Sequence, residues 1–175
     1  MRVRSVLATL ALAAGGFLAA PATGLAPATA AEVTDVTPLV TKLTHSQATS
    51  RFQSSGITWS SSGGCSDRNN PTCTSFEQLN LMSAQGAQTL KSASGCALNI
   101  TGGTETGHAS GTYSHWNGYK LDYALSSCIN NYITGSFTYI GERSDGAALY
   151  ESGSGNIYAL EGNHWDVTYY NCGGC

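Results

Sequence analysis

Four side chains in this 175-residue chain have the types and spacing of a hydrolytic metal site. His115 and Asp122 are seven residues apart. A turn at Asn117-Gly118 can reverse the chain between them and bring both side chains to one point. Far downstream, Glu161 precedes His164 by three residues across a second turn at Gly162-Asn163. Two neutral imidazoles and one carboxylate make a three-ligand zinc site whose fourth position is open to water. Zinc brings the pKa of such a water toward neutrality. A carboxylate outside the coordination shell can then take the proton and later pass it to a leaving amine. The inventory therefore assigns His115, Asp122 and His164 as Zn2+ ligands and Glu161 as the base.

Further residues surround this set. His108 lies in Gly107-His108-Ala109-Ser110-Gly111, a flexible segment seven residues before His115. It is expected to polarise a carbonyl or clamp substrate, against the alternative of a local hydrogen bond. Glu105 is a weaker substrate-binding candidate. Tyr113, Trp116 and Trp165 flank the site and read either as a substrate wall or as packing residues, with Trp116 taken as substrate-binding. Arg68, in Ser66-Asp67-Arg68-Asn69-Asn70, has the fork geometry to bind a substrate carboxylate. His45 reads as a surface residue.

The elements that must position these groups follow from hydrophobic period and caps. Residues 36–53 predict an amphipathic helix, capped by Thr37 with Pro38 in its first turn. A second helix is expected from Thr74, where Thr74-Ser75-Phe76-Glu77 has the capping-box form, to a stop at Gly95. Beyond Gly95 the period becomes two. Strands are expected at 57–59, 97–101, 119–125, 138–142, 147–151, 156–160 and 165–170, with a short helix at 128–137. Helices first and antiparallel strands afterwards predict an α+β fold, N-terminal helices lying on one face of a mostly antiparallel sheet.

Arg2 and Arg4 precede an apolar run from Val6 to Ala20, and Ala28-Thr29-Ala30 supplies a small-x-small cleavage site. Residues 1–30 thus read as a secretory signal peptide, and 31–175 as a single extracellular domain. The leader removes two of eight basic residues, leaving six against eleven acidic ones, a balance of −5. That argues against nucleic acid and anionic membrane surfaces as partners. With no second long apolar run, no membrane span is expected. A monomer is expected. All six cysteines follow the leader, and in an exported chain they read as three disulfides. Of the 15 connectivities that six cysteines allow, the expected one is Cys65–Cys73, Cys96–Cys128 and Cys172–Cys175.

The segment Ser114-His115-x-x-Gly118-x-x-x-Asp122, followed by Glu161-x-x-His164, resembles the signature of the zinc D-alanyl-D-alanine peptidases. These are DD-carboxypeptidases, DD-dipeptidases and L-alanyl-D-glutamate endopeptidases of cell-wall metabolism, with a fold shared by the hedgehog signalling domain. The resemblance covers roughly residues 97–170. It implies a zinc peptidase acting on peptidoglycan stem peptides next to a D-residue, with His115, Asp122 and His164 on zinc and Glu161 as base. The chain departs from the pattern in two places. Lys120 stands where many members have alanine. The stretch Ile100 to Glu105 lacks the arginine that many members aim at the scissile carbonyl, so His108 and Arg68 become the nearest substitutes. Two other functions compete. One is a non-catalytic module binding cell wall or glycan, with structural or vestigial zinc. The other is a glycosidase using two carboxylates from Glu105, Asp122, Glu161 and Asp166, which leaves His115 and His164 without a task.

Overall fold

The computed structural model describes residues 40–175; the leader, Thr37 and Pro38 lie outside them. Lys42–Leu43 (β1) pairs antiparallel with Leu79–Asn80 (β3). Between them run a first helix, His45–Ser54 (α1), and a short strand, Thr58–Trp59 (β2). A second helix, Leu81–Ser94 (α2), follows. Then come Asn99–Gly102 (β4), Lys120–Ala124 (β5) and a third helix, Ser127–Ser136 (α3). Four strands complete the fold: Thr138–Glu142 (β6), Ala148–Glu151 (β7), Ile157–Glu161 (β8) and His164–Thr168 (β9). The main sheet has the order β2-β4-β5-β9-β8-β7-β6, and only β2 and β4 run parallel. The fold is therefore α+β with a mostly antiparallel sheet. No helix among the described residues is long and apolar enough to cross a membrane.

Both N-terminal helices start later than the sequence pattern suggests, and each shift has a local cause. Thr44 and Gln47 form a complete capping box: Thr44 Oγ1 accepts the Gln47 N–H at 3.3 Å and Gln47 Oε1 accepts the Thr44 N–H at 2.9 Å. That box sets the start of α1, and the residues just before it extend to pair with β3. The Thr74–Glu77 box does not cap α2. Thr74 Oγ1 instead faces Ser60 O at 2.8 Å and Thr101 O at 3.1 Å, and Glu77 Oε2 accepts the His45 N–H at 2.9 Å. Both side chains are engaged by distant segments, so no helix starts there; the chain first forms β3, and α2 begins at Leu81. His45 is accordingly not a surface residue: its ring stacks on Phe76, and its Nδ1 accepts the Phe76 N–H at 3.0 Å. At the other end of α2, Gly95 adopts the left-handed conformation expected of it.

The core lies between the helices and one face of the sheet. Phe52 from α1, Leu90 from α2 and Ile129 and Ile133 from α3 pack with Ile100, Leu121, Tyr123, Trp165 and Val167. Strand alternation then decides where the polar residues go. In β5, Leu121 and Tyr123 face the core while Lys120 and Asp122 face away. In β9, Trp165 and Val167 face the core while His164 and Asp166 face away. The two strands are in register at Asp122↔Asp166 and Ala124↔His164. Four ionisable side chains thus share the face opposite the helices.

All three expected disulfides are present. Cys96–Cys128 closes the longest loop, with a sequence separation of 32, and ties the approach to β4 onto α3. By loop-closure entropy it stabilises the fold by about 3–4 kcal/mol. The Cys96→Ala/Cys128→Ala variant should lose about that much in urea unfolding. The Cys172→Ala/Cys175→Ala variant, with a separation of 3, should lose less. Equal losses would show that loop length does not set the contribution of these bridges.

Candidate metal centre

Asp122 is the hub of the polar face. Its neighbour Gly102 on β4 lets it sit there, since a Cβ at Gly102 would fall 2.2 Å from Asp122 Oδ2. Three imidazoles converge on its carboxylate. His115 Nε2 is 3.2 Å from Oδ1, His164 Nε2 is 3.6 Å from the same oxygen, and His108 Nδ1 is 3.8 Å from Oδ2. The expected turn delivers His115: Gly118 N–H donates to His115 O at 2.8 Å, and Gly118 takes a φ of +76° that favours glycine.

Each imidazole is held from behind by an oxygen acceptor. His115 Nδ1 donates to Gly103 O at 2.7 Å, His164 Nδ1 donates to Asn163 Oδ1 at 2.7 Å, and His108 Nε2 donates to Glu105 Oε1 at 3.0 Å. The outward nitrogen of each ring therefore carries a proton, and the inward one faces Asp122. This is how proteins orient metal-binding histidines. His108, His115 and Asp122 form the tightest group, with one ligand atom from each within 4.8 Å of the others, and can hold a metal ion.

Electrostatics point the same way. Asp122 Oδ1 and Asp166 Oδ1 are buried and, among the described residues, have no hydrogen-bond partner once His115 Nε2, 3.2 and 3.6 Å away, has lost its proton. Orphaned carboxylate oxygens are costly unless a cation meets them. Burial alone would depress the His115 imidazolium, but the carboxylates of Asp122 and Asp166 outweigh it and push its pKa up to about 10. Burial would raise the Asp166 carboxyl, yet His115 and Lys120 together hold it well below the usual carboxylate range. The cleft around these groups has a volume of about 520 Å³ and also exposes Lys120, Arg143, Asp145 and Glu161. Four carboxylates face two permanent cations there, so the cleft suits a divalent ion once His115 gives up its proton.

No family model, curated protein or solved structure matches this chain.

His108, His115, Asp122, Glu161 and His164 all line one cleft, but the metal-capable group contains His108 where His164 was expected as a ligand; His164 Nε2 lies 3.6 Å from Asp122 Oδ1. Glu161, at the end of β8, pairs in register with His164, and its Oε2 lies 3.4 Å from His164 Nε2. Two expected substrate contacts need correction. Glu105 is 3 % exposed, and its carboxylate accepts the N–H groups of Ser75 and Gly103 as well as His108. It positions His108 and has no oxygen left for substrate. Arg68 does not reach the cleft. Its Nε donates to Thr104 O at 3.2 Å, an Nη donates to Trp116 O, and its guanidinium stacks on the Trp116 ring at 3.7 Å. Trp165 is fully buried and donates to Asn130 Oδ1 at 2.8 Å, so it is a packing residue. Trp116 is exposed and stands beside the cleft.

In the metal-site reading of the sequence, no role fell to Lys120, Arg143, Asp145 or Asp166, which also line the cleft. Asp166 and Lys120 share a face with His164 and Asp122, which strict alternation along β9 and β5 would have shown. Lys120 Nζ donates to Asp166 Oδ2 at 2.6 Å. Arg143 comes from the β6–β7 turn. It grips Asp145, reaches Asp166 Oδ2 at 3.3 Å and donates to Glu161 Oε1. Asp145 and Glu161 hold its guanidinium in the charged form, far above the physiological range.

Proposed function

We propose that this chain is an exported zinc-dependent hydrolase of amide bonds in peptidoglycan stem peptides, cutting next to a D-residue. The observation that carries the reading is the convergence of three tethered imidazoles on the buried Asp122 carboxylate. The choice of wall peptides rests on the resemblance of the Ser114–Asp122 and Glu161–His164 segments to the zinc D-alanyl-D-alanine peptidases, and with it a hedgehog-like fold. The set of imidazole nitrogens and a carboxylate fits zinc. His115, Asp122 and His164 would hold the ion, and His108 reaches the same carboxylate from the other side. When bound, zinc supplies Lewis acidity toward a carbonyl oxygen and acidifies water.

The chain's own residues do the rest. Arg143 donates to Glu161 Oε1 and leaves Oε2 on the side of His164. Glu161 Oε2 takes the proton from the attacking water and returns it to the departing amine nitrogen. Asp145 and Asp166 brace Arg143 from two directions, so Glu161 is held in one place through the cycle. Glu105 fixes the His108 ring with its unprotonated Nδ1 toward Asp122, where it serves as a further donor to the ion rather than as the carbonyl donor expected from sequence.

One observation favours a second reading, a wall-binding module without turnover: the Arg143 ion pair already occupies one oxygen of Glu161. Incubation of zinc-loaded protein with defined muropeptides separates the two. Mass spectrometry should find two fragments whose masses sum to substrate plus one water. Intact muropeptides beside a fully zinc-loaded protein would overturn the hydrolase reading.

A further inference from the structure

A second compartment of about 270 Å³ lies next to the metal cleft. The two cavities share Gly107, His108 and Ala109, so one loop divides them. The aromatic wall of the second compartment is Trp116, which is 45 % exposed. An exposed tryptophan ordinarily gains little from being held still. Here Arg68 holds it: the guanidinium stacks on the indole and donates to the carbonyl oxygens of Trp116 and Thr104. The cation–π contact restrains the indole, and the two carbonyl bonds fix the arginine. The result is a rigid apolar platform at the edge of the cleft.

Apart from the paired Glu105 and His108, the remaining lining carries no ionisable group. Ser110, Ser114 and Asn117 contribute hydroxyl and carboxamide groups. Asn117 Nδ2 donates to Gly111 O at 2.9 Å and to Thr112 O at 3.1 Å, which turns its Oδ1 into the acceptor on offer. Ser114 Oγ accepts the Asn117 N–H at 3.2 Å and has its own proton to give. The one carboxylate of the lining, Glu105, is buried and already bonded on both oxygens. A stacking ring beside hydroxyl and amide groups, without a free charge, matches the two faces of a pyranose. Its C–H face lies on an aromatic ring, and its hydroxyl and acetamido groups need uncharged donors and acceptors.

We propose that this compartment is a sugar subsite, taking one N-acetylated hexosamine ring of a glycan strand. Binding of the sugar stands on the compartment alone. The further step rests on the hydrolase reading: a ring held here places the peptide stem attached to it across the Gly107–Ala109 loop and into the metal cleft.

The test titrates metal-free and zinc-loaded protein with N-acetylglucosamine and its β-1,4-linked tetramer, followed by the Trp116 indole N–H in NMR spectra and by calorimetry. Saturable shifts should centre on Trp116 and the amides of 110–117, with or without zinc. Trp116→Ala should weaken tetramer binding tenfold or more. Arg68→Gln should weaken it several-fold, and Trp116→Phe should restore part of the loss. Absence of shifts at Trp116 in the wild-type protein would overturn the subsite, as would tetramer affinity unchanged in Trp116→Ala. Sugar-free stem peptides, assayed separately, report on the hydrolase reading. If they stay intact while the sugar binds, hydrolysis falls and the subsite stands; if they are cut while no sugar binds, the subsite falls.

Discussion

Glu161→Gln should keep its metal and its fold but lose hydrolysis by roughly a hundredfold or more, the range for removal of a general base. The substitution is nearly isosteric. Glutamine still offers Oε1 to Arg143, so the β8 end and the β6–β7 turn keep their contact. What it lacks is basicity: a carboxamide does not accept a proton from water at neutral pH. The neighbouring carboxylates are poor stand-ins. Asp166 is engaged by Lys120 and Arg143 through Oδ2, and Asp145 is held by Arg143. Initial rates on a defined muropeptide, with zinc content and circular dichroism measured on the same sample, check the expectation. Near-normal turnover would take the base role from Glu161. Loss of metal alongside activity would instead place Glu161 among the ligands.

The site was legible where strand alternation or a local turn carries it. His115 and Asp122 meet because Asn117-Gly118 is a turn by residue type. His164 meets Asp122 because β5 and β9 alternate and lie side by side. The same alternation places Lys120 and Asp166 in the cleft. Arg143 was not legible in this way. The β6–β7 pairing shifts register between Tyr139 and Gly141, so counting along the strand does not say where the following turn points. Glu105 and Arg68 were misread for a different reason. Their surroundings are made by segments 100–106 and 65–76 packing together, with Thr104 N–H on Ser75 O and Thr106 N–H on Arg68 O. Such contacts across some thirty residues leave no trace in local composition. The late starts of α1 and α2 follow the same rule. A cap motif specifies a helix only when its side chains are not taken by a partner elsewhere, as Thr74 and Glu77 are.

The metal itself gives the largest expected change. One equivalent of zinc should bind the wild-type chain, and His115→Ala or Asp122→Ala should each abolish tight binding. A structural zinc site contributes about 10–16 kcal/mol. Losing one of three or four donors therefore costs on the order of 3 kcal/mol, about a hundredfold or more in affinity. His108→Ala and His164→Ala should each cost less than His115→Ala, because the other imidazole still faces Asp122. The His108→Ala/His164→Ala double variant should match His115→Ala. Proton release gives an independent reading. In the metal-free protein His115 keeps its second proton up to a pH of about 10, because Asp122 and Asp166 outweigh the effect of burial. Its Nδ1 proton stays on Gly103 O, so the proton that must leave before a metal enters is the one on Nε2. Zinc uptake at pH 7 should then release about one proton, and apparent affinity should rise about tenfold per pH unit toward that pKa. Calorimetry in two buffers of different ionisation enthalpy measures the release. Zinc binding that is independent of pH, or full zinc retention in His115→Ala, would move the metal away from Asp122 and remove the basis for the hydrolytic site.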